Sequence, residues 1–194
     1  STPRNFYTSS LLLCPRPTTA FSPQSKAELS SAVDGCLKLS PAKGDCLEGP
    51  HGPIGKWDVA QVTDFAQAFA GATAFNQPLA WDTSKVTSMY STFRGAIAFN
   101  QSLFWDTSKV TEMWRTFDDA ASFNQPLEKW NTSRVTNMSH LFCGVSSIGQ
   151  PLNTWNTSSV THMSGMFHGA NSFDQPLDKW GTSSVIDMSN MFFE

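Results

Sequence analysis

The chain has 194 residues, 40% of them hydrophobic, and a net charge of -3, which fits one domain with an appendage. This charge argues against nucleic-acid binding, because nucleic-acid-binding domains carry a clear basic excess. No apolar run approaches the roughly 20 residues needed to span a bilayer, so we expect no transmembrane segment, while attachment to the periphery of a membrane complex stays open.

Residues 1–20 are predicted to form an extended N-terminal arm. The first acidic residue is Glu28, and the stretch before it is rich in Ser, Thr and Pro. Two interpretations stay open: this composition is typical of an organellar targeting region, or it arises by chance. An ordered arm cannot form a core of its own, and ordering costs about 1 to 2 kcal/mol per residue in backbone entropy. We therefore predict that its apolar residues contact a partner, namely Phe6, Tyr7, Leu11, Leu12 and Leu13.

Residues 21–56 do not repeat and are predicted to form an N-terminal cap. Ser25 and Glu28 have the spacing of a capping box at the start of a helix. The apolar residues that follow fall on one helical face that seals the first repeat, and they are Leu29, Val33, Cys36 and Leu37. Cys36 and Cys46 are ten residues apart, and we predict that they form a disulfide if the compartment is oxidising.

Residues 57–194 contain an internal repeat that tryptophan marks. The tryptophans in register are separated by 24, 24, 25, 25 and 25 residues, and they are Trp57, Trp81, Trp105, Trp130, Trp155 and Trp180. When each of them is counted as position 0, position +5 is always valine, position +8 is Phe or Met, and position +12 is always phenylalanine. Six copies with one period indicate a stacked repeat architecture.

The spacing inside each copy predicts a short helix and a short strand. Positions +5, +8, +12 and +15 lie on one face of a helix. In the second copy these residues are Val86, Met89, Phe93 and Ala96. Leu79 and Trp81 alternate around Ala80, which is a strand period. We therefore predict a β/α repeat solenoid, leucine-rich-repeat-like, of six stacked coils of short strand plus short helix, with an N-terminal helical cap and an extended arm.

Two segments of the repeat carry a family resemblance. Residues 75–79 read Phe-Asn-Gln-Pro-Leu, and residues 81–89 read Trp-Asp-Thr-Ser-Lys-Val-Thr-Ser-Met. This phrase recurs through residues 57–194 and resembles the repeat of the BspA-like leucine-rich-repeat surface proteins of bacteria, protists and microalgae. Residues 32–59 resemble the N-terminal entry to such arrays in algal members. The resemblance implies a β/α solenoid with a binding or adhesive role and implies no catalytic residues.

Positions that break the repeat are the candidates for partner binding. Tyr90 and Trp114 stand at position +9, where later copies have serine. Phe104 precedes a register tryptophan, and alternation points it outward. Exposed aromatic residues beside basic side chains are typical of protein-binding hot spots. The alternative interpretation, that Tyr90 and Trp114 only flank the core, stays open.

No motif for catalysis, metal binding or cofactor binding stands out from the repeat. The histidines are scattered without metal-ligand spacing, and no glycine-rich phosphate loop occurs. We expect a non-enzymatic chain without a cofactor that binds other proteins, as an interaction or scaffold module and a structural or linker subunit of a larger assembly. The alternatives are a cell-surface adhesin, or carbohydrate or ice binding on a face lined by Thr83, Thr107, Thr132, Thr157 and Thr182.

Different features of the chain favour two different cellular locations. The cysteine pair and the glycosylation sequons at Asn131, Asn137 and Asn156 favour an extracellular or cell-surface location. The acid-free arm and a last repeat that stops at Glu194 without a polar cap favour a linker in an organellar complex, in which the chain continues or a partner covers that end. A cytosolic location is favoured less.

Overall fold

The computed structural model describes residues 20–193, and the predicted arm contacts Phe6, Tyr7, Leu11, Leu12 and Leu13 lie outside this range. The described part contains one α-helix, α1 (Lys26–Leu39), and one 3₁₀-helix (Ile54–Lys56). Its β-structure consists of isolated parallel bridges between neighbouring repeats. The architecture is therefore a helix followed by a stack of repeats that are built from turns.

The predicted β/α solenoid of six coils, with a short strand and a short helix in each, is wrong. Within residues 57–193 the repeats contain turns and isolated bridges, with no helix and no strand. The reason lies in the backbone at position +10, where Ser91, Arg115 and His140 have φ angles of 51°, 57° and 54°. A left-handed residue cannot continue a right-handed helix. The apolar side chains at helical intervals therefore lie on a ribbon of turns and not on a helix.

Position +14 is a second left-handed site in the ribbon. Gly71, Gly95, Gly144 and Gly169 have φ angles of 73°, 68°, 68° and 66°. Asp119 occupies this position in the third copy with a φ angle of 59°. Glycine adopts such angles without steric cost, which explains why it recurs here. Two left-handed residues four positions apart thus bend each copy back toward the core.

Backbone hydrogen bonds in the ribbon alternate between the copy itself and the next copy. The amides of Met89, Ser91 and Phe93 donate to carbonyls of the third copy at 2.9, 2.9 and 2.8 Å. The intervening amides of Thr92 and Arg94 close turns by donating to carbonyls three residues back. Because buried backbone donors need partners, a copy satisfies its amides only when the next copy lies against it.

Side chains and single bridges replace the predicted strand. The bridges join position +7 of successive copies, through Asp64, Ser88, Glu112, Asn137, His162 and Asp187. In the segment predicted as a strand, Asn100 Oδ1 accepts hydrogen bonds from Asn124 N and Gln125 Nε2, both at 3.0 Å. This ladder of amide side chains holds the copies together without a continuous run of backbone pairing.

Aromatic columns form the core of the stack. Trp105 Nε1 donates to the Leu79 carbonyl at 3.1 Å, and the equivalent bond links each later register tryptophan to the copy before it. Trp105 and Trp130 are 5% and 4% exposed, so their predicted burial is confirmed. Phe117 is fully buried and stacks on Phe93 with ring centroids 5.6 Å apart. Each copy thus contributes one layer to a continuous aromatic core.

The helix α1 covers the first copy of the stack. Its N-terminus is closed as the capping box predicts, since Ser25 Oγ accepts from the Glu28 amide at 3.2 Å. The Glu28 carboxylate in turn accepts from the Gln24 amide at 2.7 Å. The buried face of α1 shares the core of the repeats and consists of Leu29, Ala32, Val33 and Cys36.

A disulfide joins Cys36 of α1 to Cys46 in the loop that follows the helix, with Cα atoms 5.2 Å apart. Both cysteines are buried. The loop between them is therefore tied to the core face of α1, next to the first repeat.

The threonine column at position +2 lies inside the stack. The hydroxyls of Thr83, Thr107, Thr132 and Thr157 donate to carbonyls of the next copy at 3.0 to 3.1 Å. These four side chains are buried, whereas Thr182 is exposed. The threonine column on which carbohydrate or ice binding depended is therefore buried at four of its five positions.

We predict that Phe117→Ala lowers the free energy of unfolding by about 3 to 5 kcal/mol, because the substitution empties a fully buried aromatic site. Urea denaturation followed by circular dichroism measures the loss. Phe104→Ala is the matched control, since the Phe104 side chain is 87% exposed, and it should change stability by less than about 0.5 kcal/mol. Similar losses for the two variants would contradict the assignment of the core.

We also predict that mass spectrometry of the unreduced protein finds a link between Cys36 and Cys46. Replacing both by serine should lower the free energy of unfolding by about 2 to 3 kcal/mol, because the link restricts a loop of roughly ten residues in the unfolded chain. Cys143→Ser, at a free and half-buried cysteine, is the control. Free thiols at Cys36 and Cys46 in the native protein would contradict the prediction.

Candidate protein-binding surface

Two aromatic residues from neighbouring copies form a ridge on the surface of the stack. The rings of Tyr90 and Trp114 lie 5.1 Å apart at an angle of 30°. Trp114 is 37% exposed and Tyr90 is half-buried. The guanidinium carbon of Arg115 lies 5.4 Å from the centre of the Trp114 ring, within cation–π range. We call Tyr90 and Trp114 the aromatic ridge.

The backbone holds the ridge in place. The Tyr90 carbonyl accepts from the Gln67 amide at 2.8 Å, and the Trp114 carbonyl accepts from the Ser91 amide at 2.9 Å. The Trp114 amide donates to Glu112 Oε1 at 2.8 Å. Burial raises the pKa of this carboxyl group, and the hydrogen bond from Trp114 opposes the shift. The backbone at each ridge residue is therefore bonded to the preceding copy.

The ridge is confined to the second and third copies. Position +9 is Ala66 in the first copy, and it is Ser139, Ser164 and Ser189 in the last three. Because later copies keep the stack with a serine there, the fold does not require an aromatic residue at this position. Partner contact by Tyr90 and Trp114 stays a prediction.

Phe104 does not join the ridge. It is 87% exposed, as the alternation predicts, and it forms no aromatic pair with another of residues 20–193. Its place just before a register tryptophan is a different part of the repeat from position +9. The predicted contacts thus separate into a ridge of two residues and one isolated phenylalanine.

A polar cleft lies next to the ridge, and sequence reasoning missed it. Its volume is about 350 Å³, and its lining includes Arg115, Asp118, His140, Cys143, Gly165 and His168. Position +10 carries Arg115, His140 and Gly165 in three successive copies, and position +13 carries Asp118, Cys143 and His168. The missing side chain of Gly165 and the small serines at position +9 open the space. The sequence signal for the cleft is the change to small and polar residues along positions +9, +10 and +13 in the later copies.

Asp118 and Arg115 are charged residues in the lining of the cleft, and Arg94 lies close to Asp118. Asp118 Oδ2 lies 3.3 Å from Arg94 Nε and 3.6 Å from Arg115 Nε, and the Asp118 side chain is 8% exposed. Burial, followed by the neighbouring Asp119, raises the pKa of the Asp118 carboxyl group. Arg115 contacts both the Trp114 ring and the cleft, so it connects the two parts of the surface.

Two further groups in the lining of the cleft, His140 and Cys143, have pKa values shifted toward their neutral forms. Burial, followed by the charge of Arg115, lowers the pKa of His140. Burial, followed by Asp118, raises the pKa of the Cys143 thiol to about 11. A nucleophilic cysteine needs a lowered pKa, so this environment is suited to binding rather than to covalent chemistry by Cys143.

Among residues 20–193, no group of three or more His, Cys, Asp or Glu side chains is placed to hold a metal ion. No helix in this range is long and apolar enough to cross a membrane.

The comparison with known proteins identifies a family. No curated protein and no solved structure matches the chain. The model of the family described as "Mycoplasma protein of unknown function, DUF285" matches residues 44–131 and residues 103–194. These two matches together span the end of the cap and the whole repeat stack. The chain therefore belongs to this family.

Proposed function

We propose that this chain is a non-catalytic protein-interaction module that serves as a structural or linker subunit of a larger assembly, with the aromatic ridge as a contact surface. The single observation that carries the proposal is the contact between half-buried Tyr90 and exposed Trp114, whose ring centroids lie 5.1 Å apart. Their column continues as serine in the later copies. The stack therefore holds two large aromatic side chains at its surface that its own folding does not need.

The side chains of the ridge are those that bind proteins strongly. Tyr, Trp and Arg are the most enriched residues in binding hot spots, and truncating one commonly costs 2 kcal/mol or more of binding free energy, as an order of magnitude. Tyr90, Trp114 and Arg115 supply one of each within a single contact group. Such a group gives a partner apolar area and a charge at the same place.

The rigidity of the stack supports the same proposal. The backbone of both ridge residues is bonded to neighbouring copies, at 2.8 Å for Tyr90 and 2.9 Å for Trp114. A partner that binds a surface already ordered in this way loses less conformational entropy on association. A structural subunit benefits from this because it must hold its partner in one geometry.

A cell-surface adhesin is the second candidate, and the resemblance of the repeat phrase to surface repeat proteins supports it. The match is consistent with BspA-like surface repeat proteins, which the repeat phrase also resembles. Asn131 and Asn156, two of the three sequon asparagines, are exposed, whereas Asn137 is half-buried. In an adhesin the ridge would contact a protein outside the cell instead of another subunit of a complex.

We predict that replacing both ridge residues by the serine of later copies, in Tyr90→Ser/Trp114→Ser, removes partner binding while the midpoint of thermal unfolding stays within about 4 °C, the shift that corresponds to about 1 kcal/mol. The measurement is a quantitative pull-down from a native extract with the wild-type and variant proteins as baits. The retained proteins are compared by mass spectrometry.

Ile97→Ser is the matched control, because Ile97 is an exposed apolar side chain at another repeat position and Ser146 holds that position in the fourth copy. Phe104→Lys, which uses the residue of the equivalent Lys129, tests the isolated phenylalanine separately. If all baits retain the same proteins in the same amounts, the ridge is not the contact surface and the proposal fails.

A further inference from the structure

We propose that an apolar pocket in the N-terminal cap receives the leucine side chains of residues 11–13 of the same chain, so that the N-terminal arm folds back onto helix α1. The pocket is lined by residues of the cap and by Trp57, whereas the aromatic ridge lies in the second and third copies, so the inference goes beyond the proposed function. It assigns three of the five apolar residues of the arm to the cap instead of to a partner.

The pocket is preformed between α1 and the loop that follows the helix, with the Cys36–Cys46 disulfide in its lining. Trp57 also lines it, and Trp57 Nε1 donates to the carbonyls of His51 and Gly52, both at 3.2 Å. The disulfide and these hydrogen bonds hold the loop next to the helix. The volume of about 80 Å³ is far below the roughly 300 Å³ at which pockets for small-molecule ligands begin, so the pocket has room only for side chains.

A glycine in the interior of α1 opens the pocket. Gly35 lines it, although glycine is the least favourable residue in a helix interior apart from proline. A Cβ atom placed on Gly35 meets no atom within 4 Å outside the adjacent residues and the backbone of the helix itself. Packing within residues 20–193 therefore does not require glycine here. The notch that it leaves has space for an apolar side chain from another segment.

The lining and the edge of the pocket are apolar. No Lys, Arg, Asp or Glu from the described part of the chain lines it. Leu39 lines the pocket and is 63% exposed, and Leu47, which follows a disulfide cysteine, is 49% exposed. These two side chains are the exposed large hydrophobic residues among residues 20–56. An aliphatic occupant would bury apolar surface that the cap otherwise leaves in water.

The chain enters the described structure next to this pocket. The Phe21 ring stacks on the His51 ring with centroids 3.8 Å apart, and it meets the Trp57 ring edge-on at 5.2 Å. Both His51 and Trp57 line the pocket. The Phe21 carbonyl accepts from the Asp58 amide at 2.8 Å, which fixes this point of the backbone to the first copy. The arm therefore joins the cap beside the pocket.

The length and composition of the arm select its leucines as the occupant. Together with Cys14, the leucines at 11, 12 and 13 form the longest apolar run of residues 1–20. Seven residues separate Leu13 from Phe21, and such a tether spans at most about 26 to 29 Å. A short tether gives an effective concentration in the millimolar range, as an order of magnitude. At micromolar protein concentration, the arm of the same molecule therefore outcompetes that of a second copy.

Nuclear Overhauser effects between methyl groups test this contact in the whole chain. Ala32 lines the pocket, and we expect cross peaks between its methyl group and the methyl groups of residues 11–13 in a sample with labelled alanine and leucine methyls. Gly35→Leu puts an aliphatic side chain into the notch and should remove these cross peaks. The midpoint of thermal unfolding should stay within about 4 °C of the wild-type value, because leucine favours a helix more than glycine does.

Ala27→Leu is the matched control, since Ala27 is an exposed residue of α1 outside the lining of the pocket. This variant adds the same side chain to the same helix and should keep the cross peaks. If Gly35→Leu does not fold, Gly35→Ala decides instead. Its single methyl group meets no neighbour across the notch, and it should reduce the intensity of the cross peaks.

The outcomes distinguish this inference from the proposed function. Absence of the cross peaks in the wild-type protein would overturn it, and so would cross peaks of equal intensity in Gly35→Leu and Ala27→Leu. A mixture of alanine-labelled and leucine-labelled molecules shows only contacts between two copies, and cross peaks there would replace the arm of the same chain by that of a second copy. Tyr90→Ser/Trp114→Ser should leave the cross peaks unchanged, so the ridge can fail as a contact surface while this inference stands.

Discussion

The hydrogen bonds between copies are the constraint on which the rest of the structure depends. Alternate amides of the turn ribbon, such as those of Ser91 and Phe93, find their acceptors only in the following copy. An isolated copy would leave these donors unsatisfied and its phenylalanine and tryptophan exposed, and both are costly. Stacking therefore supplies acceptors for these amides and also buries these aromatic side chains. It also explains why left-handed residues recur at two positions, since they turn alternate amides toward the neighbour.

This constraint leaves some positions free, and the candidate surface lies there. Position +9 lies between position +8 and the left-handed position +10, and it holds alanine, serine, tyrosine or tryptophan without breaking the stack. Position +10 accepts Arg115, His140 and Gly165 in turn. A ridge and a cleft therefore arise side by side on a frame that stays regular. The surface can vary while the core remains constant.

The sequence predicts the repeat and its core but not the backbone that connects them. The period, the buried tryptophans and the capping box at Ser25 and Glu28 follow from spacing and residue type, and the structure agrees. The helix predicted in each copy fails because valine, methionine and phenylalanine at intervals of three and four residues also fit a ribbon of turns. The non-glycine residues Ser91 and Arg115 give no sequence signal for a positive φ angle.

The cleft escaped prediction for a different reason. Arg115, His140 and Gly165 are about 25 residues apart in the chain and become neighbours only when the copies stack in register. A search for metal-ligand spacing between histidines within one copy therefore does not detect the cleft. The Tyr90 and Trp114 pair was detectable because both residues depart from a column that is otherwise small, and the ring distance of 5.1 Å fits that reasoning.

The hydrogen bond between Phe117 and Leu141 tests the account most directly. The Phe117 amide donates to the Leu141 carbonyl of the next copy at 3.0 Å. In an isotopically labelled sample, magnetic resonance detects scalar coupling through such a bond and identifies both partners. The stack of turns predicts a coupling between the Phe117 nitrogen and the Leu141 carbonyl carbon. A coupling between the Phe117 nitrogen and the Met113 carbonyl carbon would instead show a helix within the copy and would contradict the stack of turns.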